Sequence, residues 1–332
     1  MPAPPADPRP APEPAGRGPP TAEGEDLSGP PVLVAGGTGF LGAAFVRALA
    51  DRGRSVSVLA RDPAKVADRF PNRFIEARPG DVTRPDSLAP ALRGIGTLVV
   101  AVQFSGFPVE RPNRGLGFME VDSAGTRNLV DAARRAGVEK LVYLSGVGAD
   151  ASSSRPWFRA KGLAERSVST SGLPFTILRP SWVYGPEDRS LNRFAGILRL
   201  NPCFFPQLGD GSQSLNPVFV EDVAEVLLRV AGPGVADGGV FEIGGPEVYT
   251  MDEIVRLLME ALGCHRPILH VPLGLAQVGA ALLEIAPGRV VSRDAVRFVC
   301  QSAVADIRPL RHRFPDLRLT PMPAALRTYL RR

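Results

Sequence analysis

Short apolar runs alternate with amphipathic stretches along most of the chain between residues 31 and 180. An apolar run bounded by turn-forming residues is typical of a strand buried on both faces, and apolar residues that recur every three or four positions are typical of a helix. The predicted strands are Val32–Ala35, Ser55–Leu59, Phe74–Arg78, Thr97–Val102, Lys140–Leu144, Phe175–Leu178 and Val240–Ile243. Their alternation with helices predicts an α/β fold with a doubly wound parallel sheet and right-handed crossovers.

The predicted helices fill the intervals between these strands and continue beyond Pro180, where the pattern loosens. Four of them have clear bounds, namely Pro85–Leu92, Ser123–Ala136, Leu191–Leu200 and Ile254–Leu262, and the last of these follows the capping-box residues Thr250–Glu253. Three more are predicted from one end or one residue: a helix that begins at the glycine-rich turn after the first strand, a helix that contains Lys161 and ends near Ser169, and a helix that begins at Val220. Residues 201–216 are rich in Pro and Gly and are predicted to be a loop. We therefore expect a core over residues 31–180 and a C-terminal part over 181–332. The second part includes a small, mostly helical lobe, where a substrate or a partner would bind.

Residues 1–30 differ from the rest of the chain, because they are rich in Pro, Ala, Gly and Glu and contain few large apolar side chains. Such a segment cannot bury enough surface to offset the entropy lost on ordering, so a disordered tail is predicted. It lacks the basic start and the continuous apolar stretch of a secretory signal, and its acidic residues argue against a targeting peptide.

Composition and charge narrow the function classes. Of 332 residues, 44% are hydrophobic and 22% charged, with a formal net charge of +5, which is ordinary for a globular protein. Basic blocks interleaved with aromatic residues are missing, which argues against a nucleic-acid partner. The three cysteines and three histidines are scattered, so the sequence predicts neither a metal site nor structural disulfides, and it favours a reducing compartment such as the cytoplasm.

No apolar run is long enough to span a bilayer. The most apolar late segment, Pro272–Ile285, is interrupted by Gln277 and Glu284. A buried amphipathic helix is the commoner explanation for such a segment, and peripheral contact with the inner face of a membrane or with a partner protein is the alternative.

A glycine-rich turn between a strand and a helix carries the main chemical signal. The stretch reads Val32–Ala35, then Gly36, Gly37, Thr38, Gly39, Phe40, Leu41 and Gly42. Gly36 permits a sharp reversal, Gly39 lets backbone N–H groups approach a diphosphate, and Gly42 lets the helix pack closely on the strand. The helix N-terminus adds free N–H donors and the positive end of the helix dipole. A tight turn without a ligand is the structural alternative.

Two further positions fit a dinucleotide. Arg61 follows the second strand, where the adenosine ribose is expected, and a basic residue there accommodates the 2′-phosphate of NADP; Lys65 could assist it. The neighbouring Asp62 would instead reach a ribose hydroxyl, so NADP(H) is favoured and NAD(H) stays an alternative. Asp81 and Val82 lie after the third strand, where an adenine pocket would form, although a turn capped by Asp81 explains them equally simply.

A family resemblance rests on the motifs Gly36–Gly42, Gly80–Val82, Leu144–Gly146, Leu178–Ser181 and Val183–Pro186. They resemble the extended and atypical short-chain dehydrogenase/reductases, a superfamily that includes nucleotide-sugar epimerases and dehydratases. The resemblance implies a Rossmann fold, an NAD(P) cofactor and Pro180 among the cofactor contacts. Ser152–Arg155, Lys161, Gly185–Asn192 and Asn216–Ala224 resemble more narrowly the nucleotide-binding accessory subunit of respiratory complex I and its bacterial relatives.

The catalytic residues of that superfamily are only partly present. Its enzymes use a Tyr-x-x-x-Lys pair, which places both side chains on one helix face. Lys161 matches the lysine and would hold the nicotinamide ribose, but Trp157 stands at the tyrosine position, and an indole N–H cannot act as an acid or base near neutral pH. Ser145 matches the serine that polarises a substrate carbonyl. Tyr143 is predicted to be buried in a strand, which leaves Tyr184 as the substitute phenol, unless it only packs in its turn.

The resemblance therefore implies a dinucleotide-binding protein without the usual Tyr–Lys catalysis. Its cofactor would be structural or regulatory, and its partner would be a respiratory complex or another protein. The alternative is an active NADP-dependent reductase or nucleotide-sugar epimerase/dehydratase with a non-standard acid or base.

Overall fold

The computed structural model describes residues 29–104, 110, 117–275, 277 and 300–330. The predicted tail lies outside the described residues except at its last two positions, and most of the apolar segment Pro272–Ile285 also lies outside them. Within the described ranges, no helix is both long enough and apolar enough to cross a membrane.

A seven-stranded parallel sheet forms the centre of the molecule, in the order β3–β2–β1–β4–β5–β6–β11. Its strands are β1 Val32–Ala35, β2 Val56–Ala60, β3 Glu76–Pro79, β4 Thr97–Val100, β5 Lys140–Leu144, β6 Phe175–Pro180 and β11 Gly239–Ile243. All residues of β1, β2, β4 and β5 are buried, which explains their nearly uninterrupted apolar sequence. The predicted doubly wound parallel sheet is confirmed.

Helices cover both faces of this sheet. They are α1 Phe40–Asp51, α2 Ala64–Arg69, α3 Leu88–Ala91, α4 Gly125–Ala136, α5 Pro156–Ser169, α6 Ser190–Leu200, α7 Val220–Val230, α8 Met251–Ala261, α9 Arg308–Arg313 and α10 Met322–Tyr329. Buried residues of α1, α7 and α9 form one apolar cluster with the sheet, and those of α3, α4 and α5 form another on the opposite face. A π-helical turn, Phe118–Ala124, precedes α4, where a continuous helix from Ser123 was expected.

The small lobe consists of α6, α8 and α10, whose buried faces share a third apolar cluster. Short strands accompany them, namely β7 Val183–Tyr184, β8 Phe205–Leu208, β9 Ser214–Leu215, β10 Val218–Phe219, β12 Tyr249–Thr250 and β13 Ile268–Val271. The predicted loop over residues 201–216 is therefore wrong in part, since it contains β8 and β9. Strand β8 pairs with β13, and β9 pairs with β12. Because these partners are distant in sequence, no local pattern predicts the two strands. The predicted capping box is confirmed by both reciprocal hydrogen bonds between Thr250 and Glu253.

Residues beyond the expected boundary at residue 180 also contribute to the central sheet. Strand β11 adds a seventh strand beside β6, and α7 packs on α1. The division into a core and a C-terminal part remains a prediction, but the two parts share one sheet.

Candidate functional site

The glycine-rich turn lies at the point where the strand order of the sheet reverses. Strand β1 is flanked by β2 on one side and β4 on the other, with Ala35 opposite Leu59 and Val100. Gly36 follows at the carboxyl edge with a φ of +85°, and a Cβ there would lie 2.4 Å from the Ala101 carbonyl oxygen. Ligands of doubly wound sheets bind in the crevice at such a position.

The N-terminus of α1 opens onto this crevice. Its N-cap is Gly39, which supplies no capping side chain, and its first turn contains no acidic residue. The first intrahelical bond runs from the Ala43 N–H to the Gly39 carbonyl at 2.8 Å, so the preceding amides have no intrahelical acceptor. A Cβ on Gly42 would lie 2.3 Å from the Gly36 carbonyl oxygen, which shows how closely helix and turn approach. The arrangement fits a diphosphate.

The remaining predicted residues of the turn differ in exposure. Gly37 is buried and packs on Val58, and Gly39 is exposed. The other three residues, Thr38, Phe40 and Leu41, are half-buried. Phe40 and Leu41 also pack against the apolar cluster of the lobe. The start of α1 therefore faces the crevice and contacts the lobe at once.

Arg61 follows β2 at the same edge of the sheet and is exposed. Among the described residues it has no hydrogen bond or ion pair, whereas one carboxylate oxygen of Asp62 accepts the Ala64 N–H at 3.1 Å. The Asp62 carboxylate thus closes a local turn just before α2. Arg61 and the exposed Lys65 present uncommitted charge beside the crevice.

Asp81 and Val82 occupy a turn after β3. One oxygen of the Asp81 carboxylate, Oδ1, accepts from the Thr83 N–H at 2.9 Å and from the Thr83 hydroxyl at 2.8 Å. The Val82 side chain packs on Gly125, and its carbonyl accepts from Asn128 at 2.9 Å. The alternative of an Asp-capped turn is thus present in the structure, and the role of both residues toward adenine remains a prediction.

Lys161 lies on α5 and is buried beside an acid that the sequence reasoning missed. Its Nζ is 3.4 Å from Asp122 Oδ1, 3.3 Å from the Val102 carbonyl and 3.5 Å from the Leu144 carbonyl. Asp122 is fully buried in the π-helical turn, and its Oδ2 accepts the Phe104 N–H at 3.1 Å. Burial raises the pKa of the Asp122 carboxyl, although the Lys161 ammonium acts in the opposite direction. The turn Phe118–Ala124 contains a second acid, Glu120, so no local signal in the sequence singles out Asp122.

Ser145 directly follows β5, the strand that contains Tyr143. The Ser145 hydroxyl is buried and has no hydrogen-bond partner in the described part of the chain. Tyr143 is fully buried as expected, and burial raises the pKa of its phenol. The carbonyl of Pro180, at the end of β6, accepts the Val147 N–H at 3.1 Å and so joins the loop after β5 to β6.

Trp157 occupies the second position of α5 and packs directly on the residue after Ser145. A Cβ on Gly146 would lie 2.3 Å from the indole Cη2, and the ring also packs against the cluster of Phe104 and Phe118. The indole of Trp157 therefore packs against the residue that follows Ser145.

Tyr184, the candidate substitute phenol, lies in the lobe cluster with its ring 5.7 Å from that of Phe219. It is fully buried, and burial raises the pKa of its phenol well above the ordinary value. A phenol held in this way keeps its proton at neutral pH. Its catalytic role remains a prediction, and its surroundings favour the packing alternative.

The run Gly185–Asn192 connects α1 and α2, which pack on the central sheet, to the lobe. Glu187 forms ion pairs with Arg47 of α1, at 3.2 Å, and with Arg69 of α2. Asp188 accepts the backbone N–H groups of Ser190 and Leu191 at the start of α6, at 2.8 and 2.7 Å. The acidic residues of this motif thus have structural partners.

Within the described ranges, no three His, Cys, Asp or Glu side chains converge in a way that could hold a metal ion.

Comparison with known proteins agrees with this geometry. A family model described as NAD(P)H-binding matches residues 36–231. The mitochondrial NADH dehydrogenase [ubiquinone] 1 alpha subcomplex subunit 9 of Arabidopsis thaliana is 27% identical over 77% of this chain. The match covers only 63% of the length of that relative. The NAD(P)H azoreductase of Xenophilus azovorans is 27% identical over 76% of this chain and 80% of its own. The NAD complex of UDP-glucose 4-epimerase from Thermus thermophilus shares the fold, with a TM-score of 0.69, 22% identity, and coverage of 90% of this chain and 98% of that one.

Proposed function

Since the chain belongs to the NAD(P)H-binding family, we propose that it holds NADP(H) as a structural or regulatory ligand, without the Tyr–Lys catalysis of active short-chain dehydrogenase/reductases. When bound, the dinucleotide supplies a hydride donor or acceptor and a large anionic group. The open amides at the start of α1 would bind the diphosphate, Asp81 and Val82 the adenine, and Lys161 the nicotinamide ribose.

The environment of Trp157 carries the second half of this proposal. The indole packs on Gly146 beside Ser145, and the candidate substitute phenol, Tyr184, is fully buried with a raised pKa. Ser145 alone cannot supply a proton at neutral pH, because its hydroxyl is too weak an acid. In this proposal the site therefore binds the dinucleotide but lacks a residue that could transfer a proton to or from a substrate.

Arg61 supports NADP over NAD, since it is exposed and uncommitted beside the crevice. Replacing Arg61 by glutamine is expected to weaken NADPH binding about tenfold to a hundredfold, as for the loss of a hydrogen bond to a charged group, and to leave NADH binding unchanged. Titration calorimetry with both dinucleotides measures this. Arg135→Gln, an exposed arginine at the other end of the sheet, is the matched control and should change neither affinity. An equal loss for NADH and NADPH would contradict the assignment.

The partner proposed for this protein is a membrane-bound respiratory complex, with the chain on the cytoplasmic side as a peripheral subunit. The name of the Arabidopsis relative supports it, as does the ion-paired run Gly185–Asn192 that resembles the accessory subunit of complex I. Because the chain spans only 63% of that relative, the assembly itself is part of the proposal.

Purified protein tests the function directly. We expect a nicotinamide dinucleotide with a 2′-phosphate to co-purify, and we expect no NADPH oxidation over a broad panel of carbonyl substrates. Saturating NADPH should also raise the unfolding temperature, since ligand at about one hundred times its Kd stabilises a protein by about 2.7 kcal/mol. Steady turnover with retained cofactor would overturn the structural role, and the absence of binding by either dinucleotide would overturn the whole proposal.

An active reductase is the second candidate. It is favoured by the azoreductase relative and by the buried Lys161–Asp122 pair, whose Lys161 Nζ lies 3.5 Å from the Leu144 carbonyl at the end of β5. Turnover that disappears in Tyr184→Phe would establish it with Tyr184 as the acid, whereas turnover that survives Tyr184→Phe would point to a water in that role.

A further inference from the structure

A second cavity lies outside the residues assigned to the dinucleotide. It measures about 460 Å³ and is about half open to solvent. Its walls are the loop after β5, the start of α5 and the first three residues of the segment Gln301–Ala305, which we call the strap. The volume suits a small molecule. Ser153 and Arg155, two residues of the motif Ser152–Arg155, line the cavity, and the dinucleotide gives this motif no role.

The strap is fixed across this end of the molecule by several hydrogen bonds. The Ser181 hydroxyl donates to the Ala303 carbonyl at 2.6 Å, and the Ala303 N–H donates to the Ser214 carbonyl at 3.0 Å. Asn216 exchanges two hydrogen bonds with the backbone of Ala305, at 3.0 and 2.9 Å. The wall that the strap provides is therefore anchored at both β6 and β9.

Arg155 is the cation of this cavity. Its guanidinium lies 4.7 Å above the ring of Phe158, and its Nη1 donates to the Gln301 side-chain oxygen. No acid lies within ion-pair distance of it in the parts of the chain that the structure describes. The amide oxygen of Gln301 thus occupies the position that a carboxylate or phosphate oxygen would take on the guanidinium edge.

Two serine hydroxyls of the cavity, those of Ser153 and Ser302, accept a hydrogen bond but donate none within the described residues. The Ser153 oxygen accepts the Arg155 N–H at 3.2 Å, and the Ser302 oxygen accepts the Ser214 N–H at 3.0 Å. Neither hydroxyl donates to any described residue, so both O–H groups stay available as donors.

Asp150, the acid that lines the cavity, does not accept a hydrogen bond from Arg155 or from the Ser153 and Ser302 hydroxyls. Its oxygens accept the Ser152 N–H at 2.8 Å and the Ser152 hydroxyl at 2.7 and 2.9 Å. These hydrogen bonds lower the pKa of the Asp150 carboxyl, which is therefore charged but already satisfied by its own turn. The side-chain groups of the cavity that remain available are therefore the O–H donors of Ser153 and Ser302 and the Arg155 guanidinium.

We propose that this cavity binds a small ligand through an anionic oxygen group, a carboxylate or a phosphate, which replaces the Gln301 oxygen on Arg155 and accepts from Ser153 and Ser302. The Arg155–Gln301 bond joins a cation to a neutral oxygen, whereas an anionic oxygen adds the attraction of opposite charges and can accept two guanidinium N–H groups at once, so an anion displaces the neutral amide. The site does not depend on the dinucleotide.

Calorimetric titration of the full chain with malonate, benzoate and inorganic phosphate tests this, at constant ionic strength in chloride and with NADPH present or absent. We expect at least one probe to bind, and the comparison of carboxylates with phosphate identifies the group. Arg155→Gln should weaken that binding at least about tenfold. Gln301→Glu should abolish it, because its carboxylate takes the guanidinium itself. Arg159→Gln, an exposed arginine on the same helix, is the matched control and should bind as wild type does.

Binding of none of the three probes would overturn the proposal, as would binding that survives both Arg155→Gln and Gln301→Glu. Loss of binding in Arg159→Gln to the same degree would show a general charge effect and would overturn it too. NADPH affinity, measured on every variant, reports correct folding. If no dinucleotide binds while the anion binds through Arg155, the proposed function fails and this inference stands.

Discussion

Gly42→Ala is expected to lower dinucleotide affinity at least about tenfold and to destabilise the protein by about 1–3 kcal/mol, the usual cost of an overpacked site. A Cβ on Gly42 would lie 2.3 Å from the Gly36 carbonyl oxygen and 2.9 Å from its carbonyl carbon. These are backbone atoms, so no flexible side chain can yield. The helix must move away from the turn, and its N-terminal amides must move with it.

Gly196→Ala is the matched control for this change. Gly196 also lies in a helix, α6, but nothing lies within 4 Å of a Cβ built there. Because alanine is the better helix former, this variant should be more stable than wild type by up to about 1 kcal/mol, with unchanged dinucleotide affinity. Urea denaturation and calorimetry measure both quantities. If Gly42→Ala bound NADPH as tightly as wild type does, the close approach of helix and turn would not matter for binding.

The sequence was sufficient for the central sheet and the glycine-rich turn, because the signals for both are local. Buried parallel strands such as β4 are apolar at nearly every position, and the turn between β1 and α1 needs glycine for reasons that act within a few residues. Such patterns do not depend on which distant segment a strand meets.

Contacts between distant segments account for what the sequence did not reveal. Asp122 and Lys161 are far apart in the chain and meet only because α5 packs on the π-helical turn before α4. Strands β8 and β13 pair across more than one helix, and each alone is too short to show a period. In the same way, the burial of Tyr184 depends on side chains of the lobe that no local pattern connects to it.

Asp237→Asn is expected to destabilise the protein by about 2–4 kcal/mol. Lys140, at the start of β5, is fully buried, and its Nζ donates to the Asp237 carboxylate and to the Val235 carbonyl at 2.9 Å. Removing the negative charge leaves a buried ammonium with only neutral acceptors, the Val235 carbonyl and the asparagine amide oxygen, and breaking a buried ion pair costs about 3–5 kcal/mol. The expected value lies lower because the Asp237 side chain is 33% exposed, so solvent already screens the pair.

A double-mutant cycle separates the buried charge from the loss of the carboxylate itself. Asn keeps an oxygen for the Gly234 N–H, which Asp237 accepts at 3.2 Å, so the change acts mainly on Lys140. Combined with Lys140→Met, Asp237→Asn should cost far less than it does alone, because no ammonium is left to desolvate. The exposed pair Arg308–Asp306 provides the comparison, and Arg308→Met should leave the urea midpoint unchanged. Equal costs for Asp237→Asn in both backgrounds would mean that Lys140 is not held by this carboxylate, and that the Val235 carbonyl alone suffices to keep it buried.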